Sequence, residues 1–247
     1  MNSGIPDRAR HYGVDAPGVI VWLIGGGLVG VAAGATTWML VTITWIVSVG
    51  AVLVVASVVP VILGLSMVAY AWRGKALLRD YMLDLHIWRG GEIVLDIGAG
   101  RGLMAVGAAM RVPQGRVIAV DIWRKGDLSG NGPGGLIANA QRFGVAERIE
   151  VRSEDASSLA LPDASVDVVL SVLCIHNIEP LANRKRALAE IVRVLRPGGC
   201  ALIADYIGTG AYARWFREAG LVVTGPQPVR RIALTSMALV QAVKPAR

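Results

Sequence analysis

The residues best suited to chemistry lie in the stretch Val94-Leu95-Asp96-Ile97-Gly98-Ala99-Gly100-Arg101-Gly102. Glycines in such a turn permit positive φ angles and let a ligand lie against bare backbone. A dinucleotide-binding turn has the pattern G-x-G-x-x-G, and its third glycine would fall at Leu103. The spacing here is G-x-G-x-G, and Asp96 lies two residues before the first glycine. A nicotinamide-dependent oxidoreductase is therefore improbable.

A second acidic residue stands at a related position further along the chain. Asp121 follows Asp96 by 25 residues and ends the apolar run Val117-Ile118-Ala119-Val120. An acid at the tip of a strand is placed to accept hydrogen bonds from ribose hydroxyls. The glycine turn and the acid together are far more specific than either alone.

The elements that must position these residues follow a regular alternation after Gly90-Gly91. Alternating strand and helix patterns predict an α/β, Rossmann-like domain, with a mainly parallel sheet covered by helices on both faces. The predicted strands are Ile93–Ile97, Arg116–Asp121, Ile149–Arg152, Val166–Leu173, Cys200–Tyr206 and one near Ala238–Val243. The predicted helices are an amphipathic Ala76–Trp88, then Leu103–Arg111, Gly134–Phe143, Asn183–Leu195 and Ala211–Ala219.

These motifs resemble those of class I S-adenosylmethionine-dependent methyltransferases, close to the quinone-biosynthesis and arsenite methyltransferases. The resemblance covers roughly Ala76 to Lys244 and includes three further motifs in the family's order: Glu154-Asp155-Ala156, Leu161 to Val169, and Leu195-Arg196-Pro197-Gly198-Gly199. It implies methyl transfer with S-adenosylmethionine as the cofactor. The cofactor-binding residues that it implies are Asp96, Gly98, Gly100 and Gly102 for the methionine part, Asp121 for the ribose, Ile122, Asp155 and Ala156 for the adenine, and Ser171 near the methyl group.

The end of the fourth predicted strand, which faces the methyl group in that family, carries the candidate catalytic residues. His176 is a candidate base and Asn177 a candidate orienting partner, because imidazole titrates near neutral pH. The alternative is that His176 caps a helix or contacts the cofactor passively. Cys174 is expected to be a small buried residue rather than a nucleophile. The two cysteines show no metal-ligand spacing, so no metal is expected, and the lack of paired cysteines counts against arsenite as the substrate.

Acceptor recognition is expected from segments outside these motifs. The candidates are the Ala76–Trp88 helix, the glycine-rich loop after Asp121, and residues Tyr206 to Trp215. In that loop Ser129 and Asn131 could contact a ligand, although a flexible surface loop is an equal alternative.

The first third of the chain has a different character. No Asp, Glu, Lys or Arg occurs between Asp15 and Arg73. A membrane-spanning helix needs about 20 apolar residues, so this run predicts two spans, Gly18 to about Met39 and about Thr44 to Tyr70. Cleavage of a signal peptide near Ala32-Ala33-Gly34-Ala35 is a weaker alternative, because a second long apolar run follows at once. Tryptophans near the predicted ends are typical of an interfacial belt: Trp22, Trp38, Trp45 and Trp72.

Glycines recur along the first span at Gly26, Gly30 and Gly34. Three positions without side chains on one helix face predict close packing against the second span, or against a second copy of the chain in a homodimer.

Charge placement predicts the orientation. Basic residues flank the hairpin at Arg8, Arg10, Arg73, Lys75 and Arg79, whereas the turn between the spans carries none. The positive-inside rule then places both ends in the cytoplasm. The predicted organisation is a cytoplasmic segment (1–17), a transmembrane hairpin (18–72), a linker with the amphipathic helix (73–90) and the cofactor-binding domain (91–247).

The net charge of +7 belongs entirely to the part after Trp72, because Arg8 and Arg10 offset Asp7 and Asp15. No dense basic run with interleaved aromatics occurs, so no nucleic-acid partner is expected, and attraction to acidic lipid headgroups is the simpler account. The sequence thus predicts a multi-pass protein of the cytoplasmic membrane that methylates a small, lipophilic or membrane-associated acceptor. The alternative is a non-catalytic membrane sensor or scaffold that binds the same cofactor.

Overall fold

A computed structural model describes residues 9–40 and 44–246, with side chains for 11–40 and 47–246. Arg8 and Thr42 lie outside the described residues, as do the side chains of Arg10, Thr44 and Trp45. The central sheet contains β1 (Ile93–Ile97), β2 (Arg116–Asp121), β3 (Ile149–Ser153), β4 (Val166–Val172), β5 (Leu195–Asp205), β6 (Val222–Pro228) and β7 (Ala238–Val243).

The strand order across this sheet is β3-β2-β1-β4-β5-β7-β6. The first five of these strands run parallel to one another, which confirms the predicted α/β sheet. β7 is antiparallel to both of its neighbours. The switch point between β1 and β4 lies at the carboxyl ends of the parallel strands, where open α/β sheets bind their ligands.

Eight α-helices accompany the sheet in the described part of the chain. They are α1 (Pro17–Leu40), α2 (Thr44–Ala69), α3 (Lys75–Asp84), α4 (Leu103–Ala109), α5 (Pro133–Arg142), α6 (Leu181–Val194), α7 (Thr209–Glu218) and α8 (Arg230–Ala233). A short π-helical segment, Tyr70–Gly74, joins α2 to α3. The predicted amphipathic helix ends four residues early, at Asp84, because the chain then folds back and the Trp88 indole donates to the Leu83 carbonyl at 2.7 Å.

The core lies on both faces of the sheet, as the alternation of side chains along each strand requires. Val94 packs on the face covered by α3, α4 and α5. Leu95, the next residue, packs on the opposite face with α6 and α7. β1 is thereby buried on both sides, and its carboxyl end is held rigidly where the glycine turn begins.

β6 was not predicted, and the reason lies in its composition. Gly225, Pro226 and Pro228 interrupt the strand pattern, and proline cannot donate to a ladder. β6 tolerates them because it lies at the edge of the sheet and pairs on one side only, with β7.

The first two helices pack against each other as a hairpin. Both are long and apolar enough to cross a membrane, by length and composition. Of the three glycines predicted to share the contact, Gly30 and Gly34 lie against α2, but Gly26 faces open space. Gly27 takes its place, since a Cβ there would lie 2.5 Å from the Val61 side chain. The contact therefore follows the spacing 27, 30 and 34, which fits the 3.6-residue helical repeat.

Adjacent glycines provide a matched test of this packing. We expect Gly27→Val to lower the thermal melting temperature of the detergent-purified protein, because overpacking costs about 1–3 kcal/mol. Gly26→Val should leave the melting temperature unchanged, since a Cβ there meets nothing within 4 Å. Equal melting temperatures for both variants would contradict this packing of α1 on α2.

Candidate functional site

A cleft opens at the carboxyl ends of β1, β2 and β4. The space within it, counted out to bulk solvent, is about 810 Å³. The sequence-predicted site residues that line it are Gly98, Gly100, Asp121, Ile122, Asp155, Ala156 and Asn177. Residues distant in sequence thus share one concave surface.

The glycine turn forms the floor of this cleft. Gly98 has a φ of +73° and its amide donates to the Val120 carbonyl at 2.9 Å. A Cβ on Gly98 would lie 2.4 Å from the Cys174 side chain, so no larger residue fits. Gly100, with φ of +51°, donates its amide to Asp121 Oδ2 at 2.8 Å. The turn is consequently bound to β2 at two points and leaves bare backbone facing the cleft.

Asp121 stands at the rim of the cleft, where the turn after β2 begins. Its Oδ1 accepts the Trp123 amide at 2.6 Å, and its Oδ2 accepts the Gly100 amide. Burial raises the pKa of this carboxyl, and the backbone amides oppose that rise. Each carboxylate oxygen can accept more than one hydrogen bond, so Asp121 retains capacity for ligand hydroxyls.

Asp96 lies deeper, with 1% of its surface exposed. Its Oδ2 accepts the Ala105 amide at 2.8 Å and so ties β1 to the first turn of α4. Burial raises the pKa of Asp96 to about 7. It does not line the main cleft. Instead it lines an adjoining cavity of about 380 Å³, together with Gly98 and Gly100.

The adenine-side residues lie together at the other part of the cleft. Ile122 is 51% exposed and so presents an apolar surface to any ligand there. Ala156 is buried, and Asp155 caps its own turn by accepting the Ser157 amide at 2.8 Å.

Two predicted cofactor residues do not line either cavity. Gly102 precedes α4 with φ of +84° and packs against Leu136. Ser171 is fully buried, and its hydroxyl donates to the Ile97 carbonyl at 3.0 Å. Both residues therefore pack inside the protein and support the glycine turn.

His176 lies in the short 3-10 turn after β4. Its Nδ1 is 2.5 Å from Asp205 Oδ1, and its backbone amide donates to Asp205 Oδ2 at 3.0 Å. The imidazole packs edge-on against the Tyr206 ring with a centroid distance of 6.3 Å. The ring itself does not line the cleft, although its neighbours Cys174 and Asn177 do.

Asp205 is a site residue that the sequence reasoning missed. It ends β5, is fully buried, and also accepts the Tyr206 amide at 2.9 Å and the Tyr212 hydroxyl at 3.3 Å. Burial raises the pKa of Tyr212, which keeps that hydroxyl protonated as a donor. An acid at the carboxyl end of the strand beside β4 was the available signal, since parallel strands end at one edge.

The two cysteines lie far apart in the sheet, and Cys174 lines the cleft. Burial raises the pKa of the Cys174 thiol far above its usual range. Cys200 begins the continuous part of the β5 ladder at the opposite end of the sheet, where its Sγ lies 3.5 Å from His86 Nδ1. Among the described residues, no group of three or more His, Cys, Asp or Glu side chains could hold a metal ion.

The glycine-rich loop after Asp121 covers one side of the cleft. Arg124, Asp127, Leu128 and Asn131 line it. The predicted ligand contact at Ser129 is instead used within the protein, because its hydroxyl accepts the Val14 amide at 2.8 Å.

Comparison with known proteins finds similarity to methyltransferases. Residues 95–203 match the sequence profile of a family described as a methyltransferase domain. An arsenite methyltransferase of Halobacterium salinarum is 35% identical over 126 residues, which cover 49% of this chain and 29% of that protein. A demethylmenaquinone methyltransferase of Thermus thermophilus is 29% identical over 137 residues, which cover 55% of this chain and 54% of that protein. The chain thus matches well under two thirds of the length of these relatives.

Solved structures give the same fold at lower identity. A SAM-dependent methyltransferase from Aquifex aeolicus matches 68% of this chain and 90% of its own, with a TM-score of 0.56 and 19% identity. The [4+2]-cyclase SpnF matches 69% of this chain and 81% of its own, with a TM-score of 0.58 and 18% identity. The α/β part of the chain therefore has the fold of class I methyltransferases, and residues 95–203 are similar to a methyltransferase domain.

Proposed function

We propose that this protein transfers a methyl group from S-adenosylmethionine to a small, lipophilic acceptor that it takes from a membrane. The cofactor supplies a methyl group already activated by its sulfonium, so the chain has to hold the cofactor and align the acceptor at about 3 Å behind the methyl. The observation that carries the membrane part is the position of Tyr70. This residue directly follows α2, yet it lines the same small cavity as Asp96 and Gly98.

The residues that line the cleft suit the chemical groups of the cofactor. Asp121 has free acceptor capacity for the ribose hydroxyls, and Ile122 and Ala156 offer apolar surface for the adenine ring. Gly98 and Gly100 line the cleft without side chains of their own, so a ligand can lie against their backbone.

The surface of the hairpin supports insertion into a bilayer. Trp22 and Trp38 are 81% and 61% exposed, and the apolar side chains between them are largely exposed as well. Monomeric soluble proteins rarely expose an apolar surface larger than a few hundred Å². Lipid contact removes this cost, because the backbone of both helices is internally hydrogen-bonded.

Basic residues at the base of the hairpin support a cytoplasmic domain. α8 packs against the Tyr70–Gly74 segment, and the side chains of Arg230 and Arg231 in α8 are exposed, as are those of Trp72 and Arg73. Acidic headgroups of the cytoplasmic leaflet attract juxtamembrane cations, and tryptophan prefers the interface. Both ends of the hairpin therefore belong on the cytoplasmic side in this proposal.

His176 is our candidate for the general base, and Asp205 is the residue that positions it. With Nδ1 turned toward the buried Asp205 carboxylate, Nε2 is left to accept a proton from the acceptor. The ring lies just outside the cofactor cleft, where an acceptor rather than the cofactor would approach.

The second candidate function is a cofactor-binding sensor or scaffold without turnover. The fold it would need is present, and the similarity to the [4+2]-cyclase SpnF indicates that this fold is not confined to methyl transfer.

Release of S-adenosylhomocysteine separates the two candidates. We expect the full-length protein, purified in detergent and supplied with S-adenosylmethionine, to release product when an organic-phase membrane extract is added. The aqueous phase of the same cells serves as the matched control and should give little release. Release with the aqueous phase alone would contradict a lipophilic acceptor, and cofactor binding without release from either phase would favour the sensor.

A further inference from the structure

The segment immediately before the first membrane helix forms part of the wall of the cofactor cleft. Residues 13–16, which we call the juxtamembrane strand, pair with the loop after Asp121. The Ser129 amide donates to the Val14 carbonyl and the Ala16 amide to the Asp127 carbonyl, each at 2.9 Å. The juxtamembrane strand is therefore hydrogen-bonded to the loop that covers the cleft.

The other end of the hairpin reaches the same place. Lys75, the first residue of α3, has its Nζ 2.8 Å from Asp15 Oδ2. The same ammonium donates to the carbonyls of Gly13 at 2.8 Å and Tyr12 at 3.4 Å. Its side chain is only 3% exposed. The two ends of the hairpin are thus joined by an ion pair whose lysine is buried and lines the small cavity with Asp15.

Asp15 lies at the junction of the two cavities and lines both the large cleft and the small cavity. Arg101 lines the small cavity too. Its Nη1 donates to the Ser129 carbonyl at 3.4 Å, and its Nε is buried without a hydrogen-bond partner among the described residues. A buried guanidinium nitrogen without a partner is costly unless a ligand supplies one. A carboxylate and a guanidinium beside one cavity suit a ligand that carries an ammonium and a carboxylate.

We propose that Asp15 and Arg101 recognise the α-ammonium and α-carboxylate of the cofactor's amino-acid end, and that Lys75 positions Asp15. This inference rests on the proposed function, because S-adenosylmethionine is the ligand that brings such a zwitterion to the glycine turn. Cofactor recognition is then linked to the hairpin, because the strand before α1 carries Asp15 and the helix after α2 carries Lys75.

Two ligands that differ only at the amino-acid end test this assignment. S-adenosylhomocysteine carries the zwitterion, whereas 5′-methylthioadenosine lacks it. By calorimetry on the full-length protein in detergent, we expect the wild type to bind S-adenosylhomocysteine more tightly. Asp15→Asn and Arg101→Gln should each lower the affinity for S-adenosylhomocysteine by about tenfold or more, as expected for a lost charged hydrogen bond. The affinity for 5′-methylthioadenosine should change by no more than about twofold.

Glu147→Gln, an exposed carboxylate remote from the cleft, is the control for loss of one negative charge. A folded Lys75→Met protein should show the same selective loss of affinity for S-adenosylhomocysteine as Asp15→Asn. If Lys75→Met does not fold, the result for Asp15→Asn decides. If Asp15→Asn lowered the affinity for both ligands equally, Asp15 would only be a structural part of the cleft wall. If neither affinity changed, Asp15 would have no role in binding. Either result overturns the inference. A folded wild type that binds neither ligand would instead overturn the proposed function itself.

Discussion

Replacement of Asp121 by asparagine is expected to lower the affinity for S-adenosylmethionine by about 100-fold or more. Two hydrogen bonds from ribose hydroxyls to a carboxylate are worth about 1.5–3 kcal/mol each, and a loss of 1.4 kcal/mol is tenfold in affinity. An asparagine amide would also face the Gly100 or Trp123 backbone amide, both of which donate to the native carboxylate. A donor facing a donor disturbs the turn that forms the floor of the cleft.

Calorimetry on the wild type and the variant, with melting temperatures measured on both, gives this difference directly. Glu147→Gln again controls for the change of one charge and should bind as the wild type does. An Asp121→Asn protein that is folded and retains wild-type affinity would remove Asp121 from the binding site.

Replacement of His176 by glutamine is expected to lower kcat by about 100- to 10,000-fold, the usual contribution of a general base. Cofactor affinity should stay within about twofold, because the imidazole lies outside the cofactor cleft. Asp205→Asn should lower kcat in the same direction by a smaller factor, since it disturbs the position of the imidazole and leaves the base present.

Separate measurement of kcat and cofactor affinity distinguishes this role from the passive one. Tyr212→Phe is the matched control for the Asp205 cluster, because it removes a 3.3 Å hydrogen bond to Asp205 and leaves the 2.5 Å approach of His176. An His176→Gln protein with unchanged kcat and altered cofactor affinity would show a passive contact instead of a base.

The fold could largely be predicted from the sequence, because the residue pattern of most segments matches the strand or helix that they form. β1, β2 and β7 all have the predicted bounds. β5 begins at Leu195 rather than Cys200, but its continuous pairing with β4 resumes at Cys200 after a bulge. The edge strand β6 was not predicted, because its prolines and glycine are not typical of a strand.

The site was predictable where a motif keeps its residues close along the chain, as in the glycine turn. It was not predictable where two distant residues meet only through the fold. Asp205 is 29 residues from His176, and Lys75 is 60 residues from Asp15 across the whole hairpin. The sequence shows both acids, but their partners depend on strand order and on how the hairpin closes.

The glycine face of α1 illustrates a smaller error of the same kind. A repeat of four residues places Gly26, Gly30 and Gly34 on one stripe, but 3.6 residues complete a turn. Over two turns the contact surface shifts by one position, and Gly27 rather than Gly26 meets α2. The hairpin also lies outside residues 95–203, which match the methyltransferase profile.

The most direct measurement is a calorimetric titration of S-adenosylmethionine into the full-length wild-type protein in detergent. The account predicts saturable binding near one cofactor per chain, with the bound cofactor consumed to S-adenosylhomocysteine once membrane lipid extract is added. A well-folded wild type that binds no S-adenosylmethionine would contradict the cofactor assignment and every step that depends on it.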